Sequence, residues 1–132
     1  MSGWDAYITN LHASSGAIKR SAIFGYPAGD VWARSAEPAF AATDAELTTL
    51  AKAFDDLSQL PAKGADLEGV HYIVPRTEEN LVFGKKDKAG FFAVKTKSAI
   101  LVAIYEGDGH SASTEVRGAV EKLADYLKNA GY

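Results

Sequence analysis

Trp4, Tyr7, Ile8 and Leu11 recur at i, i+3, i+4 and i+7. That period lays all four on one face of a helix, and Ser2 stands where it can cap the start. The pattern stops at Ser14-Ser15-Gly16. Two short apolar runs follow, 22–26 and 31–33, on either side of Pro27-Ala28-Gly29-Asp30. Pro and Gly-Asp are turn chemistry, so this stretch predicts a β-hairpin. Thr43-Asp44-Ala45-Glu46 has the T-x-x-E form of a capping box and leads into Leu47, Leu50, Ala51 and Phe54 at helical spacing. The stretch 60–64, Leu-Pro-Ala-Lys-Gly, reads as loop.

The second half changes period. Val70, Tyr72 and Val74 alternate with His71 and Ile73, and apolar runs follow at 81–83, 91–94 and 99–105. The links between them are too short for crossover helices, so an antiparallel meander of about four strands is predicted. The chain closes on Val116, Ala119, Val120, Leu123, Leu127 and Ala130, one stripe of a long helix. Ser113 or Thr114 can cap it and Gly131 can end it. The element order is then α-β-β-α-β-β-β-β-α, an α+β arrangement.

Composition narrows what such a domain does. At 132 residues the chain is one domain, 1–132, large enough to bury a core without staples, and it has no cysteine. The start carries no basic and apolar leader. The longest apolar run, 99–105, is far short of the about 20 residues of a membrane span. The expectation is a soluble cytoplasmic protein. The net charge of −3 does not suit a dedicated nucleic-acid binder. Its distribution is uneven: six basic and three acidic residues lie between Arg76 and Lys97. That segment is +3, which leaves −6 for the remainder. A basic segment in an acidic chain suits an acidic partner.

Chemistry of the catalytic kind is not visible. His12, His71 and His110 are scattered without ligand spacing. There is no G-x-G-x-x-G, Gly84-Lys85 lacks the upstream glycine of a P-loop, and no G-x-S-x-G elbow occurs. Gly107-Asp108-Gly109-His110 reads as the turn from a strand into the last helix. No catalytic residue, metal or cofactor is expected, and the protein is not expected to be an enzyme.

The two ends and the middle carry a more specific signal. The opening, from Met1 through Trp4 and Tyr7 to Ile8, resembles the start of the profilins, with one extra residue here. The segments 29–33 (GDVWA), 82–86 (VFGKK) and 94–97 (VKTK) resemble that family's strand motifs. The segment 120–127 (VEKLADYL), with Tyr132 at the end, is similar to its last helix. The likeness runs from residue 2 to 132 in one register. It implies a central antiparallel sheet, with the first and last helices together on one face and smaller helices on the other.

The resemblance also implies two binding surfaces. An aromatic groove for proline-rich peptides would be formed by Trp4, Tyr7, Trp32, Tyr126, Leu127 and Tyr132. On pattern alone Trp4 and Tyr7 favour the core, since they share a stripe with Ile8 and Leu11. Leu127 also sits on a core stripe, whereas Tyr126 is one step off it. A face for monomeric actin would be formed by His71, Arg76, Lys85, Lys86, Lys95, Lys97, Arg117, Gly118, Glu121 and Lys122. Gly118 stands where many profilins have a lysine, and the neighbouring Arg117 leaves the helix about 100° away. The partners so implied are actin, proline-rich proteins such as formins, and phosphatidylinositol bisphosphate at membranes, with Lys128 as a further cation. The protein itself is expected to be a monomer. Two other classes stay open: an α+β scaffold that docks another regulatory protein, and an enzyme whose site assembles only in space.

Overall fold

The computed structural model describes residues 4–26, 28–35, 40–107 and 110–132, with the side chains of residues 76, 110 and 111 excepted. Ser2 as a cap, Pro27 of the first turn, and Asp108 and Gly109 of the last turn lie outside the described residues.

Helix α1 (Trp4–Ser14) leads into strands β1 (Ile18–Gly25) and β2 (Val31–Arg34). Between them Gly29, at φ +82°, returns its N–H to the Gly25 carbonyl, a conformation that suits glycine. Helix α2 (Asp44–Ala53) starts on the capping box: Thr43 Oγ1 accepts from the Glu46 N–H, and Glu46 Oε1 accepts from the Thr43 N–H. A 3₁₀ turn (Leu57–Gln59), a one-turn helix α3 (Leu60–Lys63) and a short strand β3 (Ala65–Leu67) follow. The 60–64 stretch is therefore not loop. Pro61 in the first turn lacks an N–H that a helix start leaves unused, and Gly64 closes the turn at φ +72°.

Strands β4 (Val70–Glu78), β5 (Leu81–Lys86), β6 (Ala89–Lys95) and β7 (Ala99–Glu106) form the expected meander, and helix α4 (His110–Asn129) ends the chain. The helix begins before Ser113 and Thr114, so neither is its cap. Gly131, at φ +98°, stands just past its end. Seven strands make one antiparallel sheet in the order β2-β1-β7-β6-β5-β4-β3.

Two cores lie on its two faces. Ile23, Leu101, Phe92 and Val94 pack against Ile8 and Leu11 of α1 and Val116, Val120, Leu123 and Leu127 of α4. Phe24, Ile100, Val102 and Phe91 pack against Leu47, Leu50 and Ala51 of α2 and Leu60 of α3. The long apolar runs of β6 and β7 follow from this: a strand covered on both faces has no reason to alternate.

A polar knot ties the second layer together. Glu68, in the β3–β4 turn at φ +57°, accepts from Arg20 Nε of β1 and from the Ala41 N–H. Glu46 accepts in turn from the Glu68 and Gly69 N–H groups. Two carboxylates thus pin a strand, a loop, a helix start and a hairpin turn.

Candidate functional site

Helix α1 touches β1, β2 and α4, which brings aromatic residues from both ends of the chain beside β2. Trp4 is their centre. Its ring centroid lies 5.4 Å from that of Tyr7, 4.8 Å from Trp32 and 4.8 Å from Tyr132, and Tyr7 lies 5.8 Å from Tyr126. The planes are tilted or edge-on, the geometry that aromatic quadrupoles favour. Trp4, Tyr7 and Trp32 are half-buried, with one side against the terminal-helix core. Tyr126 and Tyr132 are 56% and 41% exposed. The stripe of α1 is therefore divided: Ile8 and Leu11 go into the core, while Trp4 and Tyr7 lie at its open edge.

Leu127 is a correction to the expected groove. It is fully buried among the α4 core residues and presents no surface there. Its position on the Val120–Leu123 stripe turns it toward the sheet, whereas Tyr126, one residue earlier, is turned outward. The Leu127 carbonyl accepts from the Tyr132 N–H at 2.8 Å, so its backbone helps to fold the last residues back.

Tyr132 is seated by contacts that have no sequence signature. Its carbonyl accepts from Thr96 Oγ1 at 2.8 Å, Ser98 N at 2.6 Å and Ser98 Oγ at 3.1 Å. Thr96 is itself buried. The β6–β7 turn thus holds the backbone of Tyr132 while the ring meets Trp4. Asp30 is a second such residue: the sequence marked it only as part of a turn and of the 29–33 motif, not as a site residue, although it precedes Trp32 by two positions. Its Oδ2 accepts from Trp32 Nε1 at 3.0 Å. Burial, and then hydrogen bonding with Tyr126, push the Tyr7 phenol above its ordinary pKa, so it remains a donor at neutral pH. Beyond Tyr126 the strip opens into a cleft of about 350 Å³ between α1 and α4, lined in part by Asn10, Ser14 and Lys122.

A second surface lies on the same sheet face, on β4 and β5. Ile73 is 60% exposed, and it pairs across the ladder with Lys85. Its neighbours in the alternation, Tyr72 and Val74, are buried on the other face. Phe83 is half-buried and stacks on Phe92 at 4.9 Å. From α4, Arg117 reaches Glu78 of β4 with Nη1 at 2.8 Å and Nη2 at 2.7 Å, and donates Nε to Glu121 at 2.9 Å. The two carboxylates raise the guanidinium pKa further, so Arg117 stays charged. Gly118 faces open space, and a Cβ there would meet nothing within 4 Å. His71 is exposed and pairs with Asp66 at 2.7 Å.

The ten residues expected on one face are divided. His71, Lys85, Arg117, Gly118 and Glu121 border this surface, and Arg76 pairs with Phe83 through its backbone while its side chain lies outside the description. Lys86 and Lys95 are corrections. Alternation places Lys86 on the side of Val82, in the second core, and Lys95 Nζ lies 4.4 Å over the Tyr26 ring on that side. Lys97 sits in the β6–β7 turn beside the Tyr132 anchor. Lys122 is turned toward α1 and lines the cleft beyond Tyr126. Among the described residues no three His, Asp or Glu side chains converge to hold a metal ion, and no helix is long and apolar enough to cross a membrane.

Comparison with known proteins agrees with this architecture. The family model described as Profilin matches residues 2–132. The chain is 58% identical to profilin-1 of Caenorhabditis elegans over the full length of both chains. It superposes on the structure of Acanthamoeba castellanii profilin IB with a TM-score of 0.87 at 42% identity, covering 98% of this chain and 100% of that one. The fold is also shared with mouse profilin IIa, solved in complex with a double repeat from the FH1 domain of mDia1 (19% identity, TM-score 0.77, 99% and 100% covered). It is shared too with the profilin of a LokiProfilin2/rabbit actin complex (16% identity, TM-score 0.72, 95% and 98% covered).

Proposed function

Because the chain belongs to the profilin family, whose members are actin-binding regulatory proteins rather than enzymes, we propose that it is a cytoplasmic, monomeric two-surface adaptor. One surface takes proline-rich peptides such as those of formins, and the other takes an actin monomer. The observation that carries the peptide reading is Trp4 in contact with the rings of Tyr7, Trp32 and Tyr132, with Tyr126 joined through Tyr7 and two of the tyrosines exposed.

A polyproline II segment is pre-ordered, has no internal hydrogen bonds and offers flat pyrrolidine faces. Docking it on rigid aromatic planes costs little conformational entropy and removes apolar area from water. Its free carbonyls need donors, and the indole N–H of Trp4 and the phenols of Tyr7, Tyr126 and Tyr132 are at hand. The test is intrinsic fluorescence during a poly-L-proline titration, since Trp4 and Trp32 are the only tryptophans. A saturable change, lost in Trp4→Ala and Tyr132→Ala, is expected; an unchanged wild-type signal would remove the peptide reading.

The actin reading rests on the exposed Ile73 paired with Lys85, with His71 two residues before it on β4 and Arg117 at the Glu78 end of the same strand. It is tested by nucleotide exchange on monomeric actin, which the bound protein is expected to accelerate. Phosphatidylinositol bisphosphate is the third proposed ligand. Lys85 and Lys86, exposed at the end of β5, are the cations nearest to hand, and sedimentation with vesicles containing that lipid tests it.

A further inference from the structure

We propose that the aromatic strip ends in two oppositely charged subsites, Asp30 at one end and Lys122 at the other. Together they select proline-rich peptides that carry a basic residue on one flank and an acidic residue on the other. The inference rests on the peptide reading above and adds to it what the flanks must be.

The rings form an ordered path, Trp32 to Trp4 to Tyr7 to Tyr126, in steps of 4.8, 5.4 and 5.8 Å. Each end of the path meets one charged side chain. Asp30 is exposed and binds the indole N–H of Trp32 with one oxygen. A carboxylate has about four acceptor positions, so a single indole leaves most of it for a cation. At the other end Lys122, one helical turn before Tyr126, lines the same cleft as Tyr7 and Tyr126. Lys122 is exposed and makes no ion pair among the described residues. Asp125, the neighbour of Tyr126, does not line that cleft.

Prolines carry no charge, so the rings by themselves read shape alone. The three ring steps span at most about five prolyl residues at about 3.1 Å each. The residues just outside such a core then fall beside the two charges. Exposed ion pairs of this kind change an affinity by about two- to fivefold, enough to rank one proline-rich segment above another.

The experiment is a fluorescence titration with end-capped peptides whose core is five prolines, about the length that the ring path spans. The flanks are alanine on both sides, arginine on one and aspartate on the other (in both orders), arginine on both, or aspartate on both. For the wild type at low salt, at least one mixed-charge peptide is expected to bind about two- to fivefold tighter than the alanine-flanked one, and more tightly than either like-charged peptide. The gain should vanish near 1 M salt, where the screening length is about 3 Å. Asp30→Asn keeps an acceptor for the indole and should remove only the arginine contribution. Lys122→Met keeps the side-chain length and should remove only the aspartate contribution. The alanine-flanked peptide supplies the reference affinity within each variant. If it binds normally while charged flanks have no effect, or while their effects survive both substitutions, the charged subsites are overturned and the groove stands. If it does not bind the wild type at all, the peptide reading fails and this inference falls with it.

Discussion

The ring of Tyr132 stands edge-on to that of Trp4, with centroids 4.8 Å apart and planes at 77°. The two residues come from opposite ends of the chain, and the contact persists because the Tyr132 carbonyl is held by Thr96 and Ser98.

Thr96→Val is therefore expected to loosen the groove without touching it. The hydroxyl donates to the Tyr132 carbonyl and accepts from the Ala99 N–H at 3.2 Å. Its loss should cost about 1–3 kcal/mol of unfolding free energy and weaken poly-proline binding several-fold. Ser98→Ala should do less, since the Ser98 N–H still reaches the same carbonyl. Denaturant unfolding alongside the fluorescence titration checks both effects. An unweakened Thr96→Val would show that the anchor does not position the ring.

Arg117→Ala is expected to separate the two surfaces. The Glu78 and Glu121 pairs are partly exposed, so stability should fall by no more than about 1 kcal/mol. Actin affinity, read from nucleotide exchange, should drop while the poly-proline titration stays as in the wild type.

Gly118→Ala should stabilise the protein. The position is mid-helix and a Cβ there meets nothing, so the gain is the ordinary helix difference of roughly 1 kcal/mol. Thermal unfolding should shift upward by about 2–6 °C. A loss of stability instead would mean that α4 is strained at this point.

Stability should fall on mild acidification. His12 of α1 bonds Ser21 through Nε2 at 2.7 Å, and burial holds its pKa below the ordinary 6.5. In the window between that lowered value and 6.5 the unfolded chain binds the proton more readily than the folded one. Unfolding free energy therefore declines as pH falls through the window and is unaffected by this group above it. His12→Gln should flatten the profile between pH 7 and 5, measured by denaturant titration at each pH.

Glu68→Gln is expected to strike the second layer rather than the groove. The carboxylate answers both Arg20 and the Ala41 N–H, and a neutral amide cannot replace the ionic contact. A loss of about 1–3 kcal/mol with unchanged poly-proline affinity is the expected pair of results.

Much of this architecture is legible in the chain because it is local. The capping box at Thr43 and Glu46, the stripe of α4 and the alternation of β4 each depend on residues a few positions apart. Helix α3 and strand β3 escape such reading because they are too short to show a period. The outward turn of Tyr126 was legible from its place one step off the α4 stripe, but the strip as a whole was readable only through family resemblance. Periodicity assigned Trp4 and Tyr7 to the core, and their open edge depends on where β2 and the last residues come to rest. The basic segment misled for a related reason. Period two sends Lys85 and Lys86 to opposite sheet faces, and a helical step of one residue separates Glu121 from Lys122, so charge counted along the sequence overstates charge gathered on one surface. Ile73 did carry a signal, as the apolar member of the outward half of an alternating strand.

The union of Trp4 with Tyr132 also bears on how the chain reaches its final form. Pairings between neighbouring strands of the meander close short loops, whereas joining the first helix to the last residues closes almost the whole chain and bears the larger entropic cost. The proposed groove would thus be assembled only once both ends are docked. A proline ligand that binds that state alone would add its binding free energy to the closure. In a refolding experiment, recovery of ligand-responsive tryptophan emission would time the meeting of the two ends, separately from the formation of the sheet between them.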